Sequence, residues 1–202
     1  MEKEKDLREL HSKIIHCTKC RLAKTRTRAV PGEGPMDAEI MFIGEGPGRT
    51  EDQTGRPFVG RAGKLLDEML KEIGLHRDKV FITNVVKCRP ISPEGRDRKP
   101  TEDEMSTCTP LYLEKQIDMI KPAIICTLGN TAAAYILHEH GLEHGMISKI
   151  HGKAFIVQDF KIVPMYHPAA ALYTNELKEA IRKDFKNLKA LLGQSKLDSF
   201  RS

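Results

Sequence analysis

The chain has 202 residues, and 33 Lys plus Arg against 28 Asp plus Glu give a formal charge of +5. That length suits one ordinary domain with a sizeable core, and 40% hydrophobic with 30% charged residues excludes a disordered or fibrous chain. No apolar run approaches the ~20 residues of a membrane span, the opening MEKEKDLRELHSK lacks the apolar stretch of a signal peptide, and the positive excess permits a polyanionic partner without requiring one.

In chain order, Leu7, Leu10, Ile14 and Ile15 fall on one face of a helix over 4–16. It runs into Cys17-Thr-Lys-Cys20, a basic irregular stretch from Arg21 to Arg28, and a Pro31-Gly-Glu-Gly-Pro35 loop. AEIMFIG, ending at Gly44, reads as a fully buried strand, and Glu45 to Gly63 is glycine-rich and aperiodic. Leu65, Leu66, Met69, Leu70 and Ile73 predict a helix closed by Gly74. Val80 to Asn84 is a second short strand, and 91–100 is a polar loop. Thr101, with Glu104 three residues on, has the capping-box pattern and starts a helix that should run to about Ile120. Pro122 to Leu128 is a third buried strand, followed by a helix from Gly129 to about His138. Strands near 153–157 and 161–165 lead into Tyr166-His167-Pro168; a last helix spans 170–192, and 193–202 reads as a detachable tail. Strands alternating with helices, with no internal repeat, imply an α/β sandwich around a mostly parallel sheet.

An odd count of five Cys in a chain read as leaderless argues against a disulfide framework and leaves metal or thiol chemistry. Cys17 and Cys20 form a C-x2-C pair, joined much later by Cys88 and Cys108, a pattern that folds a chain around a metal or cluster. A redox CxxC normally follows a strand, whereas this one follows a helix. Spacing alone does not separate zinc from iron–sulfur, since all-Cys ligation suits both. Cys126, between Ile125 and Thr127 in a strand, reads as a small buried hydrophobe.

The loop Gly44-Glu45-Gly46-Pro47-Gly48 sits where a parallel sheet presents its carboxyl edge, the usual ligand side of such folds. It is neither a P-loop nor a dinucleotide fingerprint. Glu45 reads equally as a base or water-positioning group and as a plain loop carboxylate. Phe58, between Pro57 and Gly60, offers a face on which a base could stack, at ~1–3 kcal/mol, or simply closes the loop onto the core. Arg49, Arg56, Arg61 and Lys64 around it suit phosphate contact. The Asn84 amide carries the donor and acceptor needed to read a pyrimidine edge, although Asn at a strand end is more often a turn former. Pro168 holds His167 in extended backbone. Glu45, Asn84 and His167 all fall at strand ends on one predicted edge, and that coincidence favours function.

GEGPGRTEDQTGRPFVGRAG, NVVKCRP and MYHPAA, together with the four spaced Cys, resemble the family 4 uracil-DNA glycosylases, from about Cys17 to Leu192. The resemblance implies a single three-layer α/β/α sandwich over 1–192 around a mostly parallel central sheet. It also implies a structural 4Fe–4S cluster on Cys17, Cys20, Cys88 and Cys108. The implied reaction is hydrolysis of the N-glycosidic bond of a flipped-out deoxyuridine, leaving an abasic site. By the same resemblance Gly44, Glu45 and Gly46 contact uracil and the attacking water, Phe58 stacks on the base, Asn84 reads it, and His167 approaches its O2. Glu45 and His167 are the implied catalytic pair, no nucleotide cofactor is needed, and uracil-containing DNA, single- or double-stranded, is the partner. Leu172 or Tyr173 would wedge into the vacated stack, and Arg96, Arg98 and Lys99 would meet phosphates. A prokaryotic intracellular monomer is expected, and few Asn and Gln point weakly to a thermophile.

Gln194, Leu197 and Phe200 resemble a sliding-clamp-binding box whose second aromatic is replaced by Arg201; a frayed C-terminus is the alternative. Two rival functions stand beside uracil excision. One is a non-catalytic DNA-binding iron–sulfur or zinc module, and the other a glycosylase of broader preference, such as for hypoxanthine.

Overall fold

The computed structural model describes residues 2–157 and 160–199. Its helices in chain order are α1 (Glu2–Ile15), α2 (Arg49–Thr54), α3 (Arg61–Glu72), α4 (Glu102–Cys108), α5 (Glu114–Ile120), α6 (Asn130–Glu139), α7 (Ile147–Ile150) and α8 (Asn175–Ser199). The strands β1 (Ile40–Gly44), β2 (Phe81–Asn84), β3 (Ile124–Leu128), β4 (Phe155–Val157) and β5 (Phe160–Met165) form a sheet in the order β2-β1-β3-β5-β4. β2, β1, β3 and β5 are parallel, and β4 lies antiparallel to β5 at the edge.

Side chains alternate across a strand. Met41 and Ile43 therefore join Ile125 and Ile162 on one face, while Ile40 and Phe42 join Cys126 and Val163 on the other. Both faces are covered, which is why these strands read as continuous apolar runs. Leu7, Leu10 and Ile14 of α1, Ile120 of α5 and Ile136 of α6 pack on the first face. Leu66 and Met69 of α3 and Ile181 and Phe185 of α8 pack on the second, where Phe42 and Phe185 stack at 5.8 Å. The result is the expected α/β/α sandwich. Cys126 is fully buried, and burial pushes its thiol pKa up, as befits a core residue. Among the described residues no helix is long and apolar enough to cross a membrane.

Several elements differ from the sequence reading, among them α7, which it lacks. Ile15 is 50% exposed and does not share the buried face of Leu7, Leu10 and Ile14. The stretch 45–63 contains α2, six residues and so too short for a period to show. The helix from Thr101 is interrupted at Thr109–Leu113 by a widened π turn. Pro110 lacks an N–H and its ring crowds the carbonyl four residues back, so the helix loosens there instead of continuing. Residues Pro168–Leu172 form a tight 3-10 turn, and α8 begins at Asn175 and runs on through Ser199, so 193–199 extend that helix. Phe200 and Arg201 of the clamp-like motif lie outside the described residues.

Candidate active site

β1 lies between β2 and β3, so the chain leaves its carboxyl end toward one side and later returns to the other. Such a switch point opens a crevice at the strand ends. A cavity of about 490 Å³ occupies it, lined by Glu45 and Gly46 after β1, Asn84 of β2, Leu128 and Gly129 of β3, Tyr166 and His167 after β5, and Phe58. Glu45, Asn84, Phe58, Gly46 and His167, separated by up to 122 positions in sequence, thus line one space, with Gly44 against Asn84 and Phe58. A comparable groove of about 530 Å³ runs along α1 and residues 111–119, but no unpartnered buried polar atom lines it.

Phe58 is held from several sides. Its backbone is left-handed, φ +49°, an uncommon state for an aromatic residue. Glu51 Oε1 accepts the next two backbone N–H groups, of Val59 at 2.9 Å and Gly60 at 2.8 Å. Arg77 donates to the carbonyls of Phe58, at 3.0 Å, and Pro57. A Cβ on Gly63 would stand 1.8 Å from the Phe58 carbonyl oxygen, so only glycine permits this approach. The Phe58 ring closes on the core, with 6% exposure, and also borders the cavity. It lies 5.7 Å from the His167 ring, centroid to centroid.

Asn84 is 1% exposed and its Oδ1 has no hydrogen-bond partner. Buried amide oxygens are nearly always satisfied, so an orphan beside a cavity points to a ligand that supplies the donor. A Cβ on Gly44 would stand 2.5 Å from that Oδ1 and 2.6 Å from Phe58 Cζ, so Gly44 is what lets the amide and the ring meet. Beneath Asn84 lies Lys87, 1% exposed, whose Nζ donates to Asn84 O at 2.7 Å, Thr83 Oγ1 at 2.7 Å and Gln116 Oε1 at 2.8 Å. Burial pulls this ammonium down to about 7, while the Cys108 and Cys88 sulfurs act in the opposite direction.

His167 accepts the N–H of Ala169 at Nδ1, 3.1 Å. Burial holds its pKa at about 4, against a small opposing pull from Glu51. The ring is therefore neutral near pH 7 with its proton on Nε2, a donor free for a ligand. Glu45 is half-buried in the cavity wall, and a Cβ on Gly46 would come 2.9 Å from Val86 Cγ2.

Two expected phosphate contacts are already engaged within the protein. Arg56 forks onto Glu33 at 2.9 and 3.1 Å, and Arg98 forks onto the buried Glu104 at 2.8 and 2.6 Å. Arg49, Arg61, Lys64, Arg96 and Lys99 remain exposed. Leu172 packs partly against the core, whereas Tyr173 is 79% exposed beyond the His-Pro turn.

Cys17, Cys20, Cys88 and Cys108 line a second, narrow cavity with Lys87 and Arg26. Arg26 donates to Cys88 Sγ at 3.1 Å and to the Ile15 carbonyl at 2.9 Å. All four thiols are free, and burial pushes Cys108 up to about 11. Among the described residues no three His, Cys, Asp or Glu form a group that could hold a metal ion.

Glu51, Arg77, Lys87 and Gln116 carry no role in the sequence reading, because Arg77, Lys87 and Gln116 depend on partners 19 to 85 positions away. The Glu-Asp pair at 51–52, with Gly60 nine positions after Glu51, is the one local signal, a carboxylate facing a glycine-rich turn.

The Uracil DNA glycosylase superfamily matches residues 31–189. A type-4 uracil-DNA glycosylase of Sulfurisphaera tokodaii is 51% identical over 190 residues, covering 92% of this chain and 84% of that protein. The Archaeoglobus fulgidus protein of the same name is 47% identical, covering 93% of this chain and 94% of its own, and that of Thermotoga maritima is 40% identical, covering 95% and 98%.

Proposed function

From the premise that the chain belongs to the uracil-DNA glycosylase superfamily, with type-4 relatives along nearly its whole length, we propose that this strand-end cavity excises uracil from DNA. The observation that carries the reading is the Asn84 Oδ1, buried and unpartnered beside the Phe58 ring.

The target nucleotide is first turned out of the stack, at a cost of a few kcal/mol. Its base lies on Phe58, and the Asn84 amide reads the pyrimidine edge by accepting N3–H and donating to O4. As the bond from C1′ to N1 breaks, its electron pair goes onto the base, and His167 Nε2–H stabilises the charge at O2 by ~2–4 kcal/mol. Glu45 orients a water whose oxygen adds to C1′ while its proton passes to the uracil anion, so that neutral uracil and an abasic site leave. Hydrolysis of this bond consumes only water, so the reading includes no nucleotide cofactor. Arg49, Arg61, Lys64, Arg96 and Lys99 supply the phosphate contacts, and Tyr173, whose exposure supports the role, fills the vacated stack.

Two observations support a cluster: the four cysteines line one cavity, and Arg26 offers a positive donor to an anionic group. Cys17, Cys20, Cys88 and Cys108 would hold a 4Fe–4S cluster whose contribution is structural, tying α1 to the segment 88–108. Iron and sulfide analysis, with absorbance near ~400 nm, distinguishes it from zinc. The domain is 1–192, and the protein acts as an intracellular monomer. Gln194, Leu197 and Phe200 engage the replication sliding clamp; a pulldown with and without 193–202 tests that part.

Cleavage of uracil-, hypoxanthine- and thymine-mismatch oligonucleotides decides the function. Uracil release alone supports the reading, hypoxanthine release favours the broader glycosylase, and binding without release the non-catalytic module.

A further inference from the structure

Lys87 occupies a place that uracil excision, as set out above, does not use. The chain leaves β2 at Asn84, and three residues later the Lys87 side chain turns back under the strand end. Its Nζ meets the Asn84 carbonyl, the Thr83 hydroxyl and the Gln116 amide oxygen, all within 2.8 Å. Three hydrogens find three acceptors, the full complement of an ammonium. Gln116 is itself fixed, donating through Nε2 to the Pro31 carbonyl at 2.7 Å. The Asn84 main chain is thereby tied to α5 and to the loop at residue 31. Charge-assisted hydrogen bonds of this kind are stiffer and stronger than neutral ones.

The Asn84 side chain needs such support. Its Oδ1 is unpartnered, so no bond of its own keeps the amide turned toward the cavity. Its direction follows from the backbone that bears it and from the walls formed by Gly44 and Phe58. Lys87 also lines the four-cysteine cavity and directly precedes Cys88. One side chain therefore touches the wall of both spaces.

We infer that Lys87 is a positioning residue for uracil recognition: its three-armed hold on Asn84 O, Thr83 and Gln116 aims the Asn84 amide. The inference rests on the reading of Asn84 as the uracil-contacting group, and the test separates the two. The measured quantity is the inhibition constant of free uracil against single-turnover cleavage by the full-length, iron-loaded protein. Iron content and melting temperature are recorded alongside. Lys87→Met is expected to raise that constant at least ~10-fold, the scale of one hydrogen bond's aim, with iron per chain unchanged. In an Asn84→Ala background the same change should have no effect beyond ~2-fold, because residues acting through one another are not additive.

A lower melting temperature with an unaltered inhibition constant would make Lys87 merely structural and overturn the inference. So would equal losses in both backgrounds. If Lys87→Met does not fold or load, Gln116→Met decides, since it removes one anchor without touching the cavity. A several-fold rise supports the inference, and no rise overturns it. If Asn84→Ala itself leaves uracil inhibition unchanged, it is the reading of Asn84 that fails.

Discussion

His167 accepts the backbone N–H of Ala169 at Nδ1 over 3.1 Å, and this bond determines what the ring can offer a ligand. With Nδ1 occupied and the pKa held at about 4 by burial, the proton sits on Nε2. His167→Ala should lower single-turnover uracil release by at least ~10², the scale of a lost oxyanion donor. In the wild type the rate should show no inflection from His167 between pH 5 and 8. An inflection near 6.5 that vanishes in the variant would mean the ring acts as a cation.

Two half-buried imidazoles make stability fall in mild acid. His167 and His11 are both lowered to about 4, His167 by burial and His11 by burial and then by the nearby Lys87 charge. An unfolded His titrates near ~6.5. Below that pH the unfolded chain takes up protons that the folded chain refuses. The contribution of these two groups is therefore level above pH 6.5 and declines toward pH 4, by up to ~1.4 kcal/mol per pH unit for each group. Melting at pH 7 and pH 5 should differ less in His11→Leu than in the wild type; an equal difference removes His11 from the account.

Gly44→Ala places a methyl 2.5 Å from Asn84 Oδ1 and 2.6 Å from Phe58 Cζ. Amide and ring must part, so uracil excision should fall at least ~10-fold. The cost to stability should stay near ~1–3 kcal/mol, as for other overpacked sites. Retained activity would show that the contact relaxes without consequence.

Glu104 gathers Arg98, Arg21 and the Thr101 N–H on one buried carboxylate. Despite the opposing effect of burial, these donors hold its pKa down to about 2. The stability it confers is present above ~4.5, the ordinary carboxylate value, and is lost as pH falls toward 2. Glu104→Ala should cost ~2–4 kcal/mol, since Arg98 loses its partner while remaining partly exposed. The denaturant midpoint measures this, and a loss under ~1 kcal/mol would reduce the network to a surface pairing.

Glu45, Asn84 and His167 are legible in the sequence because each sits at or just beyond an apolar run, and the end of such a run marks a strand end. A parallel sheet then assembles the three without further information. Phe58 is legible from its setting between Pro57 and Gly60. Lys87 is not, because a lone charged residue ordinarily lies in solvent, and its burial depends on Gln116, 29 residues away. Arg56 and Arg98 mislead for a related reason: basic side chains in a loop suggest phosphates, and only the fold brings Glu33 and Glu104 to them. The break at Pro110 is written in the chain, yet the capping box and the apolar spacing around it read as one continuous helix.

The cavity takes its walls from the ends of β1, β2, β3 and β5, so it has no existence in any shorter stretch of chain. During synthesis the Asn84 amide emerges long before the imidazole it must face. Every pairing that joins them is non-local, the kind that forms late and slowly. The growing chain thus lacks a complete uracil cavity until β5 docks beside β3, and fragments ending before His167 should bind no uracil. Competence arrives in a single late event, when the last parallel strand closes the row.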